Sequence, residues 1–350
     1  MRDPSYEVVV VGAGSAGCVL AGRLSERGVR VLLVEAGALS VPPDVASIAS
    51  LAATAPEHAL NWAFRANLTR CGREAAVPRG KVLGGSGAIN GGYYIRAVPA
   101  DFADWAVPGW SDDDVLPFYR RAENDLNETG PRHGDAGPMR ITRPSGPLLA
   151  DATRPFLAAC ARLGYPAEPD KNGAAPPGAG PVPTNAVGGR RVSAATAYLP
   201  PPWGDAAPRD TLTVRGGSPV TSLVIEDGRV TGIRLADTVV HADEVVLAAG
   251  VGTPALLATA GLDLAMSAPP GLLAHTRPHA RLLHGVVLAP ELHLRQTAEG
   301  RIVIGAGLRR RRSWRRPYRD RQGGARAGQG YAQGRRRPRA GVPHHRVPAD

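Results

Sequence analysis

Lysine is nearly missing from this chain of 350 residues: Lys81 and Lys171 stand against forty arginines. Alanine, glycine and proline are abundant beside that arginine, a bias that marks a GC-rich genome. Cysteine is almost as scarce. Cys18, Cys71 and Cys160 are widely spaced and odd in number, which excludes a disulfide framework and a cysteine-ligated metal cluster. No apolar run approaches the roughly 20 residues that a membrane-spanning helix needs. No signal-peptide pattern precedes the first strand, so a cytoplasmic location without a membrane span is expected. A metal pair is not expected either, because Pro278 breaks the helix that would set His275 and His279 on one face.

The formal charge of +11 has one source. Between Leu308 and Asp350 lie 14 arginines against Asp320 and Asp350, which leaves 28 basic and 29 acidic residues before them. This tail (308–350) has one leucine, no isoleucine and no phenylalanine, so it cannot bury a core and is expected to be disordered. Three readings of it compete. It could be an arm for nucleic acid or acidic membrane, with Trp314 and Tyr318 available for stacking. It could be a solvated extension, or an out-of-frame translation of GC-rich coding DNA.

What is present begins with the all-valine run Val8 to Val11, short and apolar as a strand buried on both faces of a parallel sheet should be. Gly12-Ala13-Gly14-Ser15-Ala16-Gly17 follows at once in the G-x-G-x-x-G spacing. There the glycines serve a tight turn, backbone approach to a diphosphate, and close packing of the next helix. That helix should stop near Arg27-Gly28, with its N-terminal amides and positive dipole end facing the diphosphate. Val29 to Val34 reads as the second strand, and Glu35 follows it where a carboxylate can take both ribose hydroxyls. An acid there disfavours a 2′-phosphate but does not separate NAD from FAD.

A second glycine-rich segment, Gly80-Lys-Val-Leu-Gly-Gly-Ser-Gly-Ala-Ile-Asn90, lies about forty-five residues beyond Glu35. Its glycines are interleaved with Lys81, Val82, Leu83, Ile89 and Asn90, which is odd for a linker. A loop lying against a flat ring needs bare backbone at the contact and a few polar atoms at its ends. Ser86 and Asn90 supply a hydroxyl and an amide.

Gly80 to Tyr94 resembles the first signature of the glucose–methanol–choline (GMC) oxidoreductases. Other landmarks follow in the family's order: Pro108-Gly109-Trp110; Val115 to Tyr119 with Glu123; His133-Gly134 with Gly137-Pro138; Gly189-Arg190-Arg191-Val192-Ser193 with Ala197-Tyr198-Leu199; and Glu244 to Gly250. The wording Ser-Gly-Ala-Ile-Asn-Gly-Gly-Tyr looks closest to members associated with the redox carrier mycofactocin. The resemblance covers roughly residues 5 to 260. It implies FAD, with Gly12, Gly14, Ser15 and Ala16 on the diphosphate and Glu35 and Ala36 on the adenosine ribose. It also implies Val82, Ser86, Asn90, Gly91, Gly92 and Tyr93 along the flavin and ribityl chain, and the Val220 backbone on the adenine. Some relatives bond the flavin to a histidine in this loop. Ile89 occupies that place, so FAD is expected without a covalent bond.

The resemblance implies oxidation of an alcohol or polyol CH–OH group, with mycofactocin or another carrier as electron acceptor and no nucleic-acid partner. The family's base is a histidine near the C-terminus. No such stretch is matched here, and His344-His345 sits in Arg/Pro-rich sequence. This favours the out-of-frame reading of the tail and leaves the catalytic residues unassigned. Two alternatives therefore stand: a catalytically inactive FAD-binding fragment, and an amine-oxidising flavoprotein suggested only by a strand–turn–strand over 294–303.

The expected architecture is α/β. A Rossmann-like FAD-binding domain, discontinuous over 1–125 and 209–265, is joined to an incomplete α+β substrate domain over 126–208 and 266–307. Asp101 to Asp125 reads as helical with Ser111 as a cap, and Asp151 to Leu163 as a second helix. The Pro/Gly-rich stretch 166–183 is a candidate lid or channel wall.

Overall fold

The computed structural model describes residues 6–67, 74–146, 149, 153–174, 178–266, 271–283, 286–288 and 292–307. The basic tail, His344, His345 and Cys71 lie outside these residues. The chain as far as Leu308 forms one compact unit.

The fold starts as a parallel strand–helix–strand unit: β1 (Val8–Val11), α1 (Ser15–Ser25) and β2 (Val31–Val34). Val9, Val10 and Val31 have no exposed surface, as central parallel strands require. Helix α1 lies close enough that a Cβ on Gly22 would come within 2.7 Å of the Tyr198 carbonyl oxygen. The Arg27 and Gly28 amides close the expected stop onto the carbonyls of Leu24 and Ser25. Strand β2 begins two residues later than the valine run suggests, because the Val29 amide turns back to the Leu24 carbonyl.

An excursion follows, with α2 (Pro43–Ala46) and the hairpin β3 (Phe64–Asn67) and β4 (Glu74–Val77). The second glycine-rich segment folds as a short 3-10 turn over Gly85–Ala88. The helix expected over Asp101 to Asp125 is two helices, α3 (Pro99–Trp105) and α4 (Asp112–Ala122). Ala106 and Gly109 adopt left-handed backbone, and Pro108 between them cannot continue a helix. Ser111 caps α4 as expected: its hydroxyl accepts the Asp114 amide, and the Asp114 carboxylate accepts the Ser111 amide. The last three residues of that segment are a strand, β5 (Glu123–Asp125), paired in parallel with β6 (Met139–Ile141).

Helix α5 (Thr153–Arg162) occupies the second predicted helix. The small hairpin β7 (Ala186–Val187) and β8 (Arg190–Arg191) precedes α6 (Ala194–Tyr198). The chain then returns to the parallel sheet as β9 (Leu212–Arg215), beside β2. An antiparallel meander follows, β10 (Ser222–Glu226), β11 (Arg229–Arg234) and β12 (Val239–His241), and leads to β13 (Glu244–Leu247), parallel to β1. The sheet order is β13-β1-β2-β9. After α7 (Thr253–Ala258) come β14 (Gly271–Pro278), β15 (Val286–Leu288), β16 (His293–Gln296) and β17 (Arg301–Gly307), an antiparallel sheet in the order β14-β17-β16-β15. His275 therefore lies on a strand, consistent with the helix-breaking role expected of Pro278.

Alternation along the parallel strands divides the core into two layers. Val10, Val31, Leu33 and Leu212 pack with Cys18 and Ala21 of α1 and with Ala194, Ala197 and Tyr198 of α6. Val9, Val11, Leu32 and Val34 pack with Leu223 and Ile233 of the meander and Leu256 of α7. One face of the sheet is thus helical. The other is covered largely by strands, where a doubly wound fold would carry helices.

Candidate functional site

The site forms where β1 ends. Gly12 turns the chain at φ +97°, and a Cβ there would meet the Ala248 carbonyl oxygen at 2.7 Å. Gly14 is the N-cap of α1, which has no side-chain cap and no acid in its first turn. Ser15 and Ala16 are exposed, and no atom lies within 4 Å of where a Gly14 Cβ would stand. Uncapped amides, a positive dipole end and open space make a cradle for an anion.

The two glycine-rich segments meet at this point. The Gly84 amide donates to the Ala13 carbonyl at 2.8 Å. A Cβ on Gly85 would lie 2.7 Å from the Gly14 Cα, and one on Gly87 would lie 3.1 Å from the Ser15 hydroxyl. The Ala13 amide donates to Glu35 Oε2 at 3.0 Å, and the Gly37 amide to Oε1 at 2.8 Å. Glu35 is 6 % exposed. Burial raises its pKa above the ordinary carboxylate value, against the opposing pull of the Gly37, Ala13 and Ala36 amides. The Cys18 thiol donates to the Ala13 carbonyl at 3.1 Å, and burial pushes its pKa up to about 12, so it acts as a neutral donor. The Gly217 and Ser218 amides donate to the carbonyls of Gly37 and Glu35, which brings the loop carrying Val220 to the same end of the sheet.

Further along the second segment, much of the polar capacity is spent on the loop itself. The Ser86 hydroxyl accepts the Gly80 amide at 3.1 Å, and Asn90 Oδ1 accepts the Gly92 amide at 2.9 Å. Their remaining donors, a hydroxyl proton and an amide NH2, are what a ligand could use. Val82 has no exposed surface and packs with Val45, Leu60 and Ile89, so it offers a ligand only backbone. Asn90 and Tyr93 are exposed, and Gly91 lies between Asn90 and buried Gly92.

A buried ionic network was not legible in the sequence. Arg96 pairs with Glu123, and the Arg143 guanidinium spans Asp125 at 2.8 Å and Asp170 at 2.6 Å. His133 sits between them, with Nδ1 at 3.2 Å from Glu123 and 3.3 Å from Asp125 and Nε2 at 2.9 Å from Asp170. Both ring nitrogens lie within hydrogen-bond distance of carboxylate oxygens. Burial raises the Asp170 pKa, but hydrogen bonds from His133, Asn172 and Arg143 outweigh it and leave the pKa below its ordinary value. The donor atoms of Glu123, Asp125 and His133 lie within 4.8 Å of one another, a spacing a metal could use. Two guanidiniums already neutralise them. Asn172 links the network to the glycine-rich loop: its Oδ1 accepts the Arg96 amide and its Nδ2 donates to the Tyr94 carbonyl. Through Asn172, the described part of 166–183 is thus hydrogen-bonded to the end of that loop.

This is an α/β nucleotide-binding architecture with two glycine-rich segments joined at one end of the sheet. The model of the GMC oxidoreductase family matches residues 6–275, and the chain belongs to that family. It is 37% identical over 274 residues to an uncharacterized GMC-type oxidoreductase of Rhodococcus erythropolis, covering 75% of this chain and 54% of that protein. It is 35% identical over 270 residues to an oxygen-dependent choline dehydrogenase of Rhizobium johnstonii, covering 73% and 48%. Among solved structures, pyridoxine 4-oxidase from Mesorbium loti superposes with a TM-score of 0.66 at 34% identity, covering 72% of this chain and 51% of that one. The chain thus spans about half the length of the curated relatives it matches. FAD is the cofactor of the family, and the uncapped helix start with the void beside Gly14 fits its diphosphate. No helix among the described residues is long and apolar enough to cross a membrane.

Proposed function

We propose that this chain holds FAD, without a covalent bond, across the junction of its two glycine-rich segments. It would form the cofactor-binding part of an oxidoreductase acting on the CH–OH group of a small-molecule alcohol or polyol. The observation that carries this reading is the backbone contact of Ala13-Gly14 with Gly84-Gly85, beside an uncapped helix start. Gly12, Gly14, Ser15 and Ala16 would bind the diphosphate, and Glu35 and Ala36 the adenosine ribose. Val220 would meet the adenine through its backbone. The backbone of Val82, with Ser86, Asn90, Gly91, Gly92 and Tyr93, would line the flavin side.

Bound FAD would supply the hydride acceptor at its N5 atom. The chain's own residues bind and orient; a base for the hydroxyl proton has no candidate among the described residues. Ile89, buried in an apolar cluster, supports a non-covalent mode. The wording of Ser86 to Tyr93 supports mycofactocin or a similar carrier as electron acceptor, in a cytoplasmic setting. The strand–turn–strand of β16 and β17 is an ordinary antiparallel hairpin and adds nothing in favour of amine oxidation.

Titration of the purified chain with FAD tests the reading. Saturable one-to-one binding with a shifted flavin absorption band is expected, and a folded chain that leaves FAD free would overturn it. Anaerobic mixing with alcohols then separates an oxidoreductase, whose flavin band bleaches, from a fragment that only binds. Bleaching by amines instead of alcohols would favour the amine-oxidising alternative.

A further inference from the structure

Arg191 is a buried cation without an anion. It is 5 % exposed, and no carboxylate among the described residues pairs with it. Its guanidinium is held by four backbone carbonyls instead: Nε donates to Asn90 at 2.6 Å, Nη1 to Val45 and to Ser47 at 2.7 Å, and Nη2 to Ser50. Burial pushes its pKa down, with no charge partner to oppose that. Isolated buried charge is costly, and a clamp made only to hold carbonyls could be built from neutral donors. The charge itself needs a purpose.

The placement of the guanidinium indicates one. One of its carbonyls belongs to the last turn of α2, two to the turn after it, and the fourth is Asn90, in the glycine-rich loop. The Asn90–Gly91 peptide is trans, so its N–H points opposite to the carbonyl that Arg191 holds. That Gly91 N–H has no acceptor among the described residues, and Asn90 beside it is exposed. A cation bound to the carbonyl polarises the peptide and strengthens the donor on its far side. We infer that Arg191 is a positioning residue that places positive potential behind the Asn90–Gly91 peptide, so that the Gly91 N–H favours negative charge on bound FAD. The inference rests on the FAD reading. The reach of the field is short but poorly screened in a buried setting.

The test uses the FAD-loaded chain and sulfite, which adds to flavin and leaves negative charge on the ring. Arg191→Gln should bind sulfite on the order of tenfold more weakly than the parent chain and show a lower midpoint potential, while Arg191→Lys should retain most of both. Unchanged sulfite affinity and potential in an FAD-loaded Arg191→Gln would overturn the inference while leaving FAD binding intact. A parent chain that binds no FAD removes the reading beneath it, and the inference with it. Where the substituted chains fail to fold, the parent chain answers alone. At a mildly acidic pH where free FAD takes up two protons with two electrons, the bound cofactor should take up one. Uptake of two would overturn the inference.

Discussion

The carbonyl of Ala13 accepts the amide of Gly84 at 2.8 Å, so a residue of the first glycine-rich turn is fastened to one seventy-one positions later. The Ala13 amide is held in turn by Glu35. One residue, through the two peptides that flank it, therefore fixes the relative placement of the three features that the sequence motifs supplied separately.

Gly14→Ala separates binding from folding. A Cβ at this position meets nothing within 4 Å, and the backbone is at φ −76°, open to any residue. The melting temperature of the ligand-free chain should be unchanged or slightly raised. FAD affinity should fall by about tenfold or more, because the methyl takes the space of a diphosphate oxygen. Equal losses in both measurements would argue that the void is not a ligand site.

Gly85→Ala should damage both properties. Its Cβ would lie 2.7 Å from the Gly14 Cα, and its φ of +57° is left-handed. The two segments would have to part, at about 1–3 kcal/mol in urea unfolding, with FAD affinity lost as well.

Glu35 sets a pH dependence whose sign follows from its raised pKa. Its contribution to folding is present in full below the unfolded carboxylate pKa and is lost as pH rises through the higher folded value. Binding runs the other way. A protonated Glu35 loses accepting capacity for ribose hydroxyls, so FAD affinity should weaken as pH falls through the raised pKa. Glu35→Gln should bind FAD more weakly with a flatter pH profile, read by fluorescence titration.

The network around His133 gives the opposite acid response. The Asp170 pKa is lowered, so its stabilisation is present above the ordinary value of 3.8 and is lost as pH falls through the depressed one. Protection of the 170–172 amides against hydrogen exchange should therefore collapse only in strong acid. His133→Ala removes a partner that Glu123, Asp125 and Asp170 share in a buried setting, which should cost about 1–3 kcal/mol of unfolding free energy.

Local patterns located the two strands, the first helix and both glycine-rich turns, because each depends on residues within one or two turns of chain. The helical reading over 101–125 is interrupted for a local reason too: Pro108 and Gly109 weigh against helix continuation, and the Ser111 cap starts a second helix. Arg96, Asp170 and Arg191 could not be ranked in advance. Arginine and aspartate are ordinary surface residues until a fold buries them, and their partners lie tens of residues away.

By itself, the sequence determined what each segment could be: valine runs as buried strands, bare backbone where a diphosphate or a ring could approach, and an acid after the second strand. Only the tertiary structure decided that Gly84 and Gly85 close onto Ala13 and Gly14, that a β-meander covers one face of the sheet, and that Arg191 lies buried behind Asn90. Strand and turn propensities act over a few residues. The free energy of burying a charge, or of seating one backbone on another, depends on neighbours that only the complete packing brings together.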